Sequence, residues 1–287
     1  MTQTAGSPTP SGRRVTRAAV VTHGKAGQIG AGIARLQAVA QEHGVELVLS
    51  PEEADKHGVA GSGDPASADI AVVLGGDGTV LRALARFLGT GVPVIGVNFG
   101  RVGFLSSISR EELEDGIRRV FAGELEVMEL STLDVEAGGE RFVGVNDAVV
   151  SSGILGRMVE IEWSIGGQDF GLVPCDGLIC STPSGSTAYN LSNGGPVLMW
   201  GLDAMALTFV APHDLRARPF VVPRGNDLEV WNRTPDVGCA VLVDGHHLAD
   251  AGPGEKVSIR LGEKRSLLGT LPDATFVRRY RQSFGQT

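Results

Sequence analysis

"DIAVVLGGDGTVLRAL", Asp69 to Leu84, decides how the chain is read. Its first half is an unbroken aliphatic run, as in a strand buried on both faces. Its second half has the spacing of a helix. Between them stand Gly75, Gly76, Asp77 and Gly78, followed by Thr79. Glycines at a strand's carboxyl end let the backbone approach a ligand closely, and the first amides of the next helix favour an anion. Ligands of open α/β sheets collect outside the carboxyl ends of the strands. Gly75 to Thr79 is therefore suited to holding phosphate groups. An aspartate there repels phosphate unless it holds a metal ion or takes a proton from an attacking hydroxyl. The same residues also suit a plain glycine-rich turn with Asp77 as a helix N-cap.

Working outward, strands alternate with helices. "VTRAAVVTHG" (Val15 to Gly24) reads as a strand, "QIGAGIARLQAVAQEHG" as a helix stopped at Gly44, and "VELVLS" as a second strand. "EADKHGVAGSGDPASA" reads as a loop, "VPVIGVN" as a further strand, and "SREELEDGIRRVFAGE" as a helix capped by Ser109. This alternation, with each strand nearly all apolar, predicts a Rossmann-like α/β domain over residues 15–124. From 125 to 265 the strands are short, turn residues separate them and long helices are absent, which predicts a β-rich domain. "VEIEWSIGGQDFGLV" has the alternation and Gly-Gly turn of a hairpin. Residues 266–287 form a C-terminal segment, in which "FVRRYRQSF" reads as a strand or helix returning to the first domain. Residues 1–14, polar with two prolines and no apolar stretch, read as a disordered leader.

The totals narrow the function. The chain has 287 residues, 42% hydrophobic and 20% charged, enough for a real core in two domains. A net charge of -8 argues against nucleic acid or an anionic membrane as partner. Cys175, Cys180 and Cys239 show no disulfide or metal spacing, which suits a reducing compartment. No stretch is apolar enough to span a membrane, and the expected location is the cytoplasm. There is no GxxxxGK[ST] and no GxGxxG after the first strand, so a nucleotide would be held another way.

A second dense stretch is "CDGLICSTPSGSTAYNLSNGGP", Cys175 to Pro196. Its hydroxyls and glycines suit a lined binding surface, with Tyr189 as a ring to stack on a base; the competing reading is an ornate connecting loop. In "GVNDAVVSS", Asn146-Asp147 is a turn pair or a grip on ribose hydroxyls. His213 and the pair His246-His247 do not have metal-site spacing, so no metal ligands are assigned. Trp163, Trp200 and Trp231 read as core or interface, and Arg278 to Arg281 as the solvated end of an element.

In order along the chain, "GGDGT", "NFGRVGFL" (Asn98 to Leu105), "VND", "DGLICSTPSGSTAYNLSNGGP", "APHDLRARPFVVP" (Ala211 to Pro223) and "VDGH" (Val243 to His246) resemble the NAD kinases. GGDGT alone is shared with diacylglycerol-type lipid kinases and, loosely, phosphofructokinases. The STPSGSTAY stretch is the more specific signal. The resemblance implies an α/β domain followed by a β-rich domain, with the active site in the cleft between them. It implies transfer of a phosphoryl group from ATP or polyphosphate, with Mg²⁺, to the 2′-hydroxyl of the adenosine ribose of NAD. Asp77 would be the general base. Gly75, Gly76, Gly78 and Thr79 would line the substrate site, Gly78 against the dinucleotide. Asn146 and Asp147 would bind NAD, and Asp176 would meet its nicotinamide end. Thr187, Ala188, Tyr189 and Ser192 would line the adenosine pocket, and Asn190 and Leu191 would also be substrate-binding residues. Arg157 and His246 fall where other members carry polar contacts. A homodimer or homotetramer is the implied assembly. The chain departs from the family pattern at Asn193, usually alanine, at Arg101 and Val102, and at Pro174; none of these removes a catalytic group.

Overall fold

The structure, a computed structural model, describes residues 9–10, 12, 14–24, 26–58, 63–100 and 103–285. The leader at residues 1–8, 11 and 13, and the departures at Arg101 and Val102, lie outside the described residues. The chain divides into two compact units: Met1–Glu129 together with Ser266–Thr287, and Leu130–Arg265.

The first unit is built on an eight-stranded sheet. Its order is Thr9–Pro10, Glu126–Leu130, Ser266–Thr270, Val94–Asn98, Ile70–Gly75, Arg17–Thr22 and Glu46–Val48, with Ile108–Ser109 alongside Val94–Asn98. The strands from Ser266–Thr270 to Glu46–Val48 run parallel. The strand Ile70–Gly75 is buried along its whole length. One core joins Val20, Val72, Leu74 and Ile95 to Leu36 and Val39 of the helix Gly32–His43, and to Ile117 and Phe121 of the helix Leu113–Phe121. The helix Asp77–Arg86 contacts Ile70–Gly75 and Val94–Asn98, and buries Thr79, Val80, Ala83 and Leu84.

Four local expectations need correction. The long helix after the first strand is two pieces, Ala26–Ile29 and Gly32–His43, separated at Gly30, whose φ is +56°. The start of the expected loop "EADKHG…" is the end of a helix, Pro51–His57. Ser50 caps it by accepting from the Glu53 amide, Pro51 opens it, Glu52 and Glu53 fill its first turn, and Gly58 closes it in the left-handed conformation. Ser109 accepts from the Glu112 amide, but the helix begins only at Leu113. In the C-terminal segment "FVRRYRQSF" is the helix Phe276–Phe284, one of the two forms expected, but its basic cluster is not simply solvated, because Arg279 is buried.

The second unit consists of two six-stranded antiparallel sheets. One runs Phe220–Pro223, Ala204–Val210, Gly177–Ser181, Asp147–Ser152, Cys239–Val243 and His246–Ala251; the other runs Gln168–Cys175, Val159–Ile165, Leu228–Asn232, Lys256–Leu261, Leu133–Ala137 and Glu140–Gly144. Both sheets feed one core, including Leu178, Leu207 and Val241 from the first and Leu133, Ile161 and Trp163 from the second. The hairpin Val159–Ile165 and Gln168–Cys175 turns on Gly166 and Gly167, both at positive φ, as a two-residue turn of this hand requires. Cys175, Cys180 and Cys239 are buried and unpaired with one another. Burial raises all three thiols, to about 11 for Cys239, so they behave as small apolar residues.

Candidate active site

The glycines around Asp77 serve two different purposes. A Cβ at Gly75 would lie 2.7 Å from the Cβ of Thr79, so this glycine lets the helix turn back onto the strand. Gly96 on the next strand does the same beneath Val80, with 2.6 Å to its Cγ2. Gly76 and Gly78 face open space instead. Ligand atoms can therefore reach the backbone where the first helical amides lack intrahelical acceptors. Thr79 is buried, and its side chain lies where a Gly75 side chain would go.

Asp77 is the first residue of its helix. Its carboxylate is held by the chain segment that follows the strand Val94–Asn98. Oδ2 accepts from the amides of Phe104 and Leu105, the latter at 3.1 Å. Oδ1 accepts from the amide and hydroxyl of Ser106 at 3.3 and 3.4 Å. The Oδ1 contacts are at the long, weak end of hydrogen-bonding range. The Phe99 amide donates to the Gly75 carbonyl, tying the same segment to the strand end below.

In the second unit, the Asn146–Asp147 turn is fixed from two sides. Asp244 accepts three successive amides, from Val145 at 2.8 Å, Asn146 at 2.7 Å and Asp147 at 3.2 Å. Asp244 itself has φ of +50°, a conformation aspartate tolerates better than most residues. On the other side, Thr182 donates its amide to the Asn146 carbonyl and its hydroxyl to the Val145 carbonyl. The Ser184 hydroxyl donates to Asn146 Oδ1 at 3.2 Å. A Cβ at Gly185 would collide with the Asn146 backbone, 2.7 Å from its Cα and nearer still to its carbonyl. Asp147 is buried, and burial followed by the Asp244 charge pushes its carboxyl up to about 7. Burial also raises Asp244, opposed by its three amide donors and by His246.

The dense stretch after Asp176 separates into an inner and an outer face. Asn190 is fully buried: Nδ2 donates to the carbonyls of Ser186 and Pro196, and Oδ1 accepts from the Thr208 hydroxyl at 2.7 Å. Its side chain ties the stretch 186–196 to the strand Ala204–Val210. Tyr189 is 46% exposed, Ser192 is exposed, and Thr187, Ala188 and Leu191 are half-buried. Asn193 donates to the Tyr189 carbonyl at 3.0 Å, an i to i−4 bond that closes the short helix Tyr189–Ser192 and that alanine cannot make.

The profile of the ATP-NAD kinase N-terminal domain matches residues 28–125, and that of the C-terminal domain matches residues 145–268. An NAD kinase of Gemmatimonas aurantiaca is 39% identical over 225 residues, 76% of this chain and 77% of that protein. One of Geobacter sulfurreducens is 35% identical over 230 residues, 78% of this chain and 81% of that protein.

The chain belongs to the NAD kinase family.

It is an enzyme of that class. A solved structure of an Archaeoglobus fulgidus NAD kinase in complex with ATP is 26% identical, with a TM-score of 0.72 over 94% of this chain and 98% of that one. Yeast NADH kinase complexed with NADH shares the fold at 18% identity, with a TM-score of 0.84 over 99% of this chain and 95% of that one. The α/β sheet and the β-rich unit are the fold these kinases share.

The remaining NAD kinase positions are more scattered. Asp176 has a fixed backbone, its amide donating to Val210 and its carbonyl accepting from Ser152, while its side chain is exposed. Arg157 lies in an exposed loop, paired with Asp236 at 2.8 Å. His246 is exposed and within electrostatic reach of Asp244. Sequence reasoning assigned no role to Gly103, Phe104, Leu105 and Ser106 around the Asp77 carboxylate, or to Asp244. The first three sit in "NFGRVGFL" and Asp244 in "VDGH", so the motifs were visible. What each residue touches is a long-range fact that no local pattern carries.

Among the described residues, no group of three or more His, Cys, Asp or Glu side chains is arranged to hold a metal ion. No helix among them is long and apolar enough to cross a membrane.

Proposed function

We propose that this NAD kinase transfers the terminal phosphoryl of ATP, or of polyphosphate, to the 2′-hydroxyl of the adenosine ribose of NAD, producing NADP. The observation that carries this reading is Asp77. It stands at the mouth of an open glycine turn, with two well-held contacts on Oδ2 and two long ones on Oδ1. A ribose hydroxyl that displaces the Ser106 contacts from Oδ1 meets a carboxylate already fixed on its other side. A base so placed accelerates attack by about 10²–10⁴-fold. Most of the remaining acceleration comes from alignment of acceptor and donor.

The open backbone at Gly76 and Gly78 leaves room for phosphate groups at the start of the helix, with Gly78 against the dinucleotide. Mg²⁺ would arrive as an ion carried by the donor. It commonly binds one or two carboxylates, phosphate oxygens and water rather than an all-protein cage. When bound it would neutralise phosphate charge during transfer. Asn146 and Asp147 grip the ribose hydroxyls of NAD, and Asp176 meets the nicotinamide end. Tyr189 stacks on adenine, with Thr187, Ala188, Leu191 and Ser192 around it, while Arg157 and His246 supply outer polar contacts. The enzyme works as a homodimer or homotetramer in the cytoplasm, a setting in keeping with its three buried free thiols.

The test is a coupled assay for NADP, with NAD plus MgATP or plus polyphosphate, on wild type and Asp77→Asn, with NAD binding measured in parallel. Wild type forms NADP, and Asp77→Asn falls by at least about a hundredfold while binding NAD. Activity retained in the variant puts proton removal elsewhere. No NADP from wild type with either donor overturns the reading in favour of dinucleotide binding alone.

A further inference from the structure

We propose that Arg279, on the C-terminal helix, is a positioning residue for phosphoryl transfer: it clamps the segment Phe104–Ser106 whose amides hold Asp77. This rests on the reading of Asp77 as the base.

Arg279 is the one buried residue of the helix Phe276–Phe284. Its Nη1 donates to the carbonyls of Phe104 at 2.9 Å and Ser106 at 2.8 Å, and its Nε to the carbonyl of Ala274 at 3.0 Å. The two carbonyls it grips therefore belong to residues whose amides donate to Asp77. One guanidinium fixes the peptide planes from behind while Asp77 is fixed in front. Arginine is the side chain suited to this, because its planar fork holds several acceptors at once. Burying a guanidinium is expensive. Burial lowers Arg279 to about 10, and the negative charge of Asp77 opposes that fall, so the cation lies within electrostatic reach of the carboxylate. Aromatic packing supports the clamp. The Phe104 ring meets Phe276 edge-on at 5.1 Å and stacks with Phe284 at 6.2 Å. The segment thus has little freedom to drift, and Gly103 at its start lies against the carboxylate.

Such a role predicts loss of rate without loss of substrate binding. Displacement of a catalytic group by about 1 Å can cost about 10²-fold. The experiment measures NADP formation, NAD binding and thermal stability for Arg279→Met, Arg279→Lys and Arg279→Ala. Arg278→Met serves as a control, since Arg278 is an exposed neighbour whose guanidinium pairs with the carboxylate and carbonyl of Asp273. Arg279→Met lowers kcat by about tenfold or more with KM for NAD within about twofold. Arg279→Lys is intermediate, and Arg278→Met matches wild type. Added guanidinium ion restores part of the rate to Arg279→Ala and does nothing for wild type. In a double-mutant cycle, Arg279→Met costs little more in the Asp77→Asn background, because the two act through one unit.

Equal losses from Arg279→Met in the wild-type and Asp77→Asn backgrounds, or a loss that follows stability and is not rescued by guanidinium, overturns the proposal. If Asp77→Asn is inactive and Arg279→Met keeps full kcat, the clamp fails and the base stands. If Asp77→Asn is active, the base reading fails first, independently of Arg279.

Discussion

Gly103 stands against the Asp77 carboxylate so closely that a Cβ there would lie 2.6 Å from Oδ2 and nearer still to Oδ1. No real Cβ contact is that short, so any side chain at 103 must push the carboxylate or the segment away. Both are tethered: the carboxylate by Phe104, Leu105 and Ser106, and the segment by Arg279. Gly103→Ala is therefore expected to lower kcat for NADP formation by about a hundredfold, with NAD binding preserved. Steady-state kinetics beside a binding titration measures this. A variant with wild-type kcat would mean the segment yields at no cost to catalysis.

Asp244 offers a test of the second unit. It accepts three successive amides at the turn carrying Asn146 and Asp147. Asp244→Asn keeps the shape, and Asn tolerates the same left-handed backbone. It replaces one acceptor oxygen with a donor group facing amides. Buried donors left without acceptors cost about 1–3 kcal/mol each. The expected result is a lower Tm together with a KM for NAD raised about tenfold, kcat at saturation changing less. Kinetics and thermal unfolding on the same preparation check both, and an unchanged KM would separate the turn from NAD binding.

Asp147 predicts a pH dependence of stability. Its folded carboxyl lies near 7, against about 3.9 for an unperturbed aspartate. Folding therefore favours the protonated form. The contribution of Asp147 is fully present below about pH 4 and is lost as pH rises through about 7, because the unfolded chain releases its proton first. Asp147→Asn should flatten that segment of the stability curve, measured by urea unfolding from about pH 4.5 to 8. If the ionised carboxylate grips ribose hydroxyls, NAD affinity rises over the same interval in wild type and not in the variant. A stability slope identical in both proteins would place the titration on another group.

Much of the fold was legible because its signals are local. The aliphatic run Ile70–Gly75, the Gly-Gly hairpin and the change from helix spacing to short strands are read within a few residues. The helix Pro51–His57 was missed although Ser50, Pro51 and Gly58 mark both its ends. The crowd of turn residues after it, Gly58 to Pro65, outweighed a seven-residue element with little apolar periodicity. The site divides in the same way. Asp77, Asn146 and Tyr189 stand out as candidates by type and setting. Gly103, Asp244 and Arg279 become candidates only through what they touch, far away in the chain, Arg279 standing 175 positions from the Phe104 carbonyl it grips. Charge pattern misled at Arg278 to Arg281, because a basic run does not reveal which member turns inward. At Asn190 the residue type suited a ligand contact, and only its partners show an internal staple.

Asn190 and Tyr189, adjacent in the chain, should therefore fail in opposite ways. Asn190→Ala removes two donors from the carbonyls of Ser186 and Pro196 and the acceptor of the buried Thr208 hydroxyl on the strand Ala204–Val210. Gly195 packs against the same side chain, a Cβ there lying 2.5 Å from the Asn190 Cγ, so the neighbourhood is already closed around it. The expected cost is about 3 kcal/mol, seen as a Tm lower by several degrees. Tyr189→Ala removes a ring that is 46% exposed and should leave Tm nearly unchanged. Loss of a base-stacking ring costs about 1–3 kcal/mol of binding, which appears as a KM for NAD higher by about tenfold or more. Thermal unfolding and NAD kinetics on the two variants decide the matter together. A stable Asn190→Ala protein with weakened NAD binding would mark Asn190 as a substrate-binding residue. A Tyr189→Ala protein with wild-type KM would remove stacking on that ring from the account of how adenine is held.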